Sequence, residues 1–345
     1  MKPHWILFPF SIVYGLVVWL RNLFFEIGVL HSVDVGVPVI SIGNNTAGGT
    51  GKTPLVVDVV RILMESGKKP AVISRGYGRV THGTIVVCNG SDLLATAASA
   101  GDEPIQIARM TGHAIVIVDE DRVRGARKAI KDFGADVIVL DDGFQHRYLQ
   151  RTKDIVLIDA QQPPFETMMI PAGYRRESMG SLKRADAIIV TKSESVSAAG
   201  VLLNDRRIDF EGEKFSSSYQ PVGIKHLFGG IEQSLEILKG RTAVVFCGIA
   251  KPESFLKQLN ACGVIIQYSE VFPDHHRFTD ADISSVINRF QSSSADFILT
   301  TEKDAARLDE FEDRLTTLPV SALMMNVDVH QKEEWKQYLL DGLTL

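Results

Sequence analysis

The stretch SIGNNTAGGTGKTPLV, residues 41–56, constrains the fold more than any other part of the chain. It overlaps VPVISIG (37–43), an apolar run rich in β-branched residues that ends on glycine, as a buried strand does. It leads into TPLVVDVVRILMESG (53–67), which has helical spacing, a glycine stop and Pro54 in the first turn, where proline is tolerated. A glycine-rich turn from strand to helix that closes on Gly51-Lys52-Thr53 is a phosphate cradle. Backbone N–H groups converge on the anion, and the helix N-terminus adds its positive dipole. The strict pattern places a glycine at position 46, where this chain has Thr46; Gly43, Gly48 and Gly49 keep the loop permissive. The candidate nucleotide-binding residues are therefore Thr46, Ala47, Gly48, Gly49, Thr50, Gly51, Lys52 and Thr53. In such loops the lysine reaches the β- and γ-phosphates and the following hydroxyl ligates Mg²⁺.

Further apolar strand candidates lie at 69–79, 84–88, 113–118, 135–143, 154–159 and 185–192, with helical stretches such as 102–111 and 121–133 between them. Continuous apolar strands alternating with helices predict a parallel sheet covered on both faces. Residues 206–240 break that rhythm with Ser, Gly and Pro and read as a connector containing a hairpin. Alternation then restarts, with strands at 242–248, 264–269 and 296–301 and helices at 252–262 and 280–291. The expected fold class is α/β: a P-loop NTPase-type parallel-sheet domain (29–205), a connector (206–240) and a smaller C-terminal α/β domain (241–345).

The N-terminus, 1–28, is of another kind. HWILFPFSIVYGLVVWL (4–20) carries no acidic or basic residue apart from His4. The run is short for a spanning helix, Pro9 and Gly15 interrupt it, and it lacks a signal-peptide cleavage pattern. Trp5, Tyr14 and Trp19 suit the headgroup zone, and Lys2 and Arg21 suit anionic lipid. The favoured reading is a segment lying in a membrane interface through residues 5–20; a buried core helix and a single span are the alternatives. The net charge of −5 argues against nucleic acid as a partner. Cys88, Cys247 and Cys262 lie far apart without a CxxC pair, which suggests reduced core thiols.

Four more constellations carry chemistry. VIVLDDGFQH (137–146) ends an apolar strand in Asp141 and Asp142, one of which can hold Mg²⁺; the competing reading is a surface turn with acidic caps. SAGDEPIQIA (99–108) places Asp102 and Glu103 at a helix start, where the dipole favours a carboxylate and an N-cap alone explains one of them. PAGYRRESMGSLKRAD (171–186) gathers Arg175, Arg176, Lys183 and Arg184, an anion clamp or a solvated basic face. VFPDHHRF (271–278) sets Asp274, His275 and His276 side by side. Adjacent histidines point apart, which disfavours zinc; one of them can pair with a carboxylate and aid proton removal, or be a structural histidine.

Taken together and in this order, GNNTAGGTGKTP, SRGYGR, GDEP, DDGFQH, PAGYRRE, DHH and TEKDA resemble the tetraacyldisaccharide 4′-kinase family. The resemblance implies ATP- and Mg²⁺-dependent phosphorylation of the 4′-hydroxyl of a tetraacyldisaccharide 1-phosphate in lipid A biosynthesis, giving a lipid IVA-type product. It implies Asp102 as catalytic carboxylate, His275 as its supporting histidine and Lys52 as the phosphate lysine. The metal-linked residues would be Thr53, Asp141 and Asp142, with Glu103 nearby. Arg176 and Glu177 match the family's pair near the nucleotide, and Arg75 and Tyr77 are candidates for substrate contact. A monomeric enzyme at the cytoplasmic face of a Gram-negative inner membrane is expected, its connector acting as a hinge. The main rival is a regulatory P-loop switch ATPase that acts through partner binding; a P-loop ligase is a second. Neither needs the DHH region together with a greasy N-terminus.

Overall fold

The computed structural model describes residues 5–343. Its strands are β1 (Val39–Asn44), β2 (Pro70–Ser74), β3 (Ile85–Asn89), β4 (Ile115–Val118), β5 (Val137–Asp141), β6 (Lys153–Asp159) and β7 (Ala187–Thr191). They continue as β8 (Glu213–His226), β9 (Glu232–Gln233), β10 (Thr242–Cys247), β11 (Ile265–Val271), β12 (Phe297–Thr301) and β13 (Val320–Val329). Twelve of these run in the order β11-β10-β12-β13-β8-β7-β6-β1-β5-β2-β4-β3, with β9 pairing β8 at the side. β1 is central to the first half, parallel to both β5 and β6. Every residue of β1, β2 and β4–β7 is buried, as expected of strands covered on both faces. β3 is the exception, an antiparallel edge on β4.

The helix Lys52–Glu65 buries Leu55, Val56, Val59, Val60 and Leu63 against the sheet, which anchors the glycine loop at its N-terminus. β8 joins the two halves of the sheet. Its first residues, Glu213–Ser216, run parallel to β7, while Ser217–His226 run antiparallel to β13. A bulge between Met324 and Met325 lies opposite Pro221, which has no N–H to give a ladder. The hairpin expected within 206–240 is β8–β9, whereas β13 had no counterpart in the sequence reading. The last helix, Lys332–Leu340, packs Trp335 and Leu339 into the core around Lys52–Glu65, and Trp335 Nε1 donates to Asp58 Oδ2 at 3.0 Å.

The N-terminal helix Phe8–Glu26 has its amphipathicity inverted. Ser11, Tyr14, Arg21 and Asn22, at helical spacing, turn their polar atoms onto the protein. Ser11 Oγ donates to Met169 O at 2.9 Å, and Tyr14 Oη donates to Arg176 O at 3.1 Å. The opposite face exposes Phe10 (63%), Ile12, Val13, Leu16, Val17 and Trp19. A helix in water buries its apolar stripe; this one presents it, which rules out the core-helix reading. From Trp5 to Glu26 it is long and apolar enough to cross a membrane by length and composition. Lys2 lies outside the described residues.

Candidate active site

The loop 46–53 is held from both sides. Gly51 caps the helix in the left-handed region (φ 91°), where a β-carbon would also press within 3.1 Å of the Tyr219 ring. Asn44 Nδ2 donates to Thr50 Oγ1 at 2.8 Å, Thr191 Oγ1 donates to Thr50 O at 2.7 Å, and Lys192 Nζ donates to Gly49 O at 2.5 Å. The carboxyl ends of β1 and β7 thus fix the loop before any ligand arrives. The loop opens on a cleft of about 1390 Å³ lined from the first half by Lys52, Arg75, Glu103 and Asp141 and from the second by His275 and Lys303. Asp142, Lys192 and His275, all on its wall, are non-glycine residues with left-handed φ. Such strain persists where the surroundings over-determine a functional geometry.

Asp141 and Asp142 differ sharply. Asp141 is buried at the end of β5; its Oδ2 accepts from Ser74 Oγ at 2.8 Å, and its Oδ1 has no hydrogen-bond partner among the described residues. Burial, then the neighbouring Glu103 and Asp142 carboxylates, push its pKa up to about 7. Asp142 accepts from Arg176 Nη1 on both oxygens, at 2.7 and 2.8 Å, with Lys52 Nζ 3.6 Å away. Burial opposes its ionisation, but Lys52 and Arg176 outweigh it and hold the carboxyl below its ordinary range. Asp141 is therefore the acid with an oxygen to give a cation. Among the described residues no three His, Cys, Asp or Glu side chains form a metal cage. That suits Mg²⁺, which takes one or two carboxylates and completes its shell with phosphate oxygens and water. Asp141 with the Thr53 hydroxyl, and Glu103 beside them, fit such an ion.

Asp102 is not among the residues that line the cleft; it opens the helix Asp102–Met110, one position before the lining residue Glu103. The preceding Gly101 has φ 94°, and a β-carbon there would lie 2.8 Å from Tyr77 O, so the SRGYG and GDEP loops interlock. Asp102 Oδ2 lies 3.1 Å from His275 Nδ1, and Arg307 Nε lies 2.9 Å from the same oxygen. The Tyr77 ring stands 5.6 Å from the His275 ring. Lys52, Glu103 and Asp141 of the first half thus share one cleft with His275 of the second, and Asp102 meets that cleft through His275.

The family model for tetraacyldisaccharide-1-P 4′-kinase matches residues 3–344. The chain belongs to the tetraacyldisaccharide 4′-kinase family. It is 36% identical to the tetraacyldisaccharide 4′-kinase of Syntrophus aciditrophicus, over 96% of this chain and 91% of that protein. It is 37% identical to the enzyme of that name from Anaeromyxobacter sp. strain K, over 90% and 84% respectively. The crystal structure of the "apo" form of LpxK from Aquifex aeolicus in complex with ATP superposes with a TM-score of 0.81 at 29% identity, covering 98% of each chain. The chain is a kinase with a hydroxyl acceptor, and its acceptor is a lipid disaccharide.

Not every residue expected at the site of this 4′-kinase reaches it. Ala47, Gly48, Gly49, Thr50, Gly51, Lys52, Thr53, Arg75, Tyr77, Glu103, Asp141, Asp142, Arg176 and His275 line the cleft. Thr46 is buried beneath the loop in a bridge to Arg175. Glu177, expected near the nucleotide, is fully buried and does not line the cleft. Its carboxylate accepts from Arg21 at 3.2 Å, Asn22 at 2.8 Å and Arg184 at 2.9 Å, so it fastens the N-terminal helix. His276 stacks on Phe272 and bonds Asp282 at 2.9 Å, a structural histidine. The sequence reading missed Arg122, buried on the cleft wall, and gave Lys303 and Arg307 no task although TEKDA was recognised.

His146 in the 4′-kinase cleft supplies a pH signature. Burial, then Arg122 and Arg151, lower its pKa from 6.5 to about 4. Between those values the unfolded chain takes up a proton that the folded chain refuses, so the histidine's contribution makes stability fall as pH drops through that window. Urea midpoints from pH 7 to pH 4 are expected to fall more steeply for the wild type than for His146→Asn.

Proposed function

We propose that this cleft transfers the γ-phosphoryl group of ATP to the 4′-hydroxyl of a tetraacyldisaccharide 1-phosphate. The observation that carries the reading is the 3.1 Å contact between Asp102 and His275, 173 residues apart in sequence, at the mouth of a phosphate loop. The loop amides of 47–53 and Lys52 hold the β- and γ-phosphates, and Arg176 supports them through Asp142. Asp141 and Thr53, with Glu103, would hold Mg²⁺, which would supply neutralisation of charge on those phosphates. Asp102, oriented by His275, removes the proton from the acceptor hydroxyl as its oxygen bonds to the γ-phosphorus. The bond from that phosphorus to the bridging oxygen breaks, and ADP leaves with the electron pair. Arg75 and Tyr77 contact the sugar.

Residues 29–205 and 241–345 act as two units, and the 206–240 segment is the hinge whose closure brings Asp102 to His275 and excludes water. The enzyme works as a monomer in this reading. It sits at the cytoplasmic face of the inner membrane as a monotopic protein. The exposed apolar face of Phe8–Glu26 enters the lipid while its polar stripe stays docked, so the cleft meets an acceptor whose four acyl chains remain in the bilayer.

The test follows the label from γ-labelled ATP with the full chain in mixed micelles, with and without the acylated disaccharide 1-phosphate. Label in the lipid, dependent on the acceptor, is expected. Free phosphate released equally with and without it would instead identify a switch ATPase.

A further inference from the structure

TEKDAAR, Thr301–Arg307, is built as a rigid platform. Thr301 caps the short helix Glu302–Ala305, accepting from Asp304 N at 3.1 Å. Asp304 is buried; its Oδ2 accepts from Thr301 Oγ1 at 2.6 Å and its Oδ1 from Gly248 N at 3.0 Å, at the end of β10. Lys303 and Arg307 stand four residues apart and leave the platform on one side. They reach the catalytic pair from its two ends. Arg307 Nε lies 2.9 Å from Asp102 Oδ2, and Lys303 Nζ lies 3.1 Å from His275 Nε2.

We propose that Lys303 is a positioning residue that holds His275 in one tautomer, with its proton on Nδ1, so that Asp102 and not His275 takes the acceptor's proton. An ammonium group has donors and no acceptor, so Nε2 beside it must be the unprotonated nitrogen. The proton of the neutral ring is then on Nδ1 and is donated to Asp102 Oδ2. The Asp274 carboxylate, which could accept from a protonated Nε2, is 3.9 Å from that nitrogen, beyond hydrogen-bond reach. Its other oxygen instead holds Lys303 at 3.0 Å and compensates the ammonium charge.

Both His275 and Arg307 fall on Oδ2 of Asp102; among the described residues its Oδ1 has no protein hydrogen-bond partner. That free oxygen receives the proton as the hydroxyl O–H bond breaks, the new O–P bond forms and ADP departs with the bridging oxygen's electron pair. His275 keeps its own proton throughout. It orients Asp102 and does not relay the charge. This refinement rests on the proposed reaction, but the tautomer can be observed without turnover.

The full chain labelled with ¹⁵N-histidine, in detergent micelles at neutral pH and with His275 assigned through His275→Gln, is expected to show a protonated Nδ1 and an unprotonated Nε2. In Lys303→Met the ring is expected to become a mixture of tautomers. Its kcat should fall about 10- to 100-fold, part of what general-base catalysis supplies. KM for ATP and for lipid should stay within about twofold, because ground-state contacts are untouched. Lys303→Arg, which keeps a donor-only cation, should recover most of kcat. A protonated Nε2 in the wild type, or wild-type kcat in Lys303→Met, overturns the assignment. Full activity in Asp102→Asn would overturn the proposed reaction instead and leave the measured tautomer standing.

Discussion

Asp102→Asn is expected to lower kcat about 10²- to 10⁴-fold, the range over which a positioned base accelerates such a step. The amide matches the carboxylate in size but cannot take a proton. In the proposed reaction ATP is seated by Lys52 and the loop amides and not by Asp102, so KM for ATP should hold. A saturating assay on micellar lipid, with near-UV circular dichroism as the folding control, separates the outcomes. A kcat within tenfold of wild type would remove Asp102 from the chemistry. The size of the effect follows from the acceptor: a sugar hydroxyl is a weak nucleophile until its proton has somewhere to go.

Glu177→Ala is expected to destabilise the protein by about 3 kcal/mol and loosen the N-terminal helix, because it strands two guanidinium groups around an empty site. Arg21 and Arg184 both converge on this fully buried carboxylate. Limited proteolysis should then cut within 27–35, the stretch that follows the helix, and activity on bilayer-embedded acceptor should fall more than activity on a detergent-dispersed one. KM for ATP should not move. A raised KM for ATP with unchanged stability would mean that Glu177 serves the nucleotide after all. The same carboxylate thus couples the N-terminal helix to PAGYRRE, in which the residue before Glu177, Arg176, grips Asp142.

Much of the first half was legible because its signals are local. Its buried strands are short runs dominated by Val, Ile, Leu and Ala, and the glycine loop is one uninterrupted segment whose neighbours along the chain set its conformation. β8 and β13 were not legible. Their sequences mix Ser, Pro, Met and Asn and alternate poorly, and they are strands because each completes the other's ladder. The Glu177 side chain was misplaced because its direction is set by Arg21 and Asn22 of the N-terminal helix and by Arg184, which converge on its carboxylate.

The amino-acid sequence by itself determined the phosphate loop, the parallel-sheet class, the acids that close two of its motifs and the apolar N-terminus, since each is written in residues a few positions apart. Only the tertiary structure decided which oxygen of which acid is left open, that the greasy helix turns its polar stripe inward, and that Lys303 and Arg307 stand against His275 and Asp102. Those are relations between groups as many as 205 positions apart, Asp102 and Arg307. No local preference encodes such a meeting; it exists when the sheet running through β8 brings both halves to one cleft.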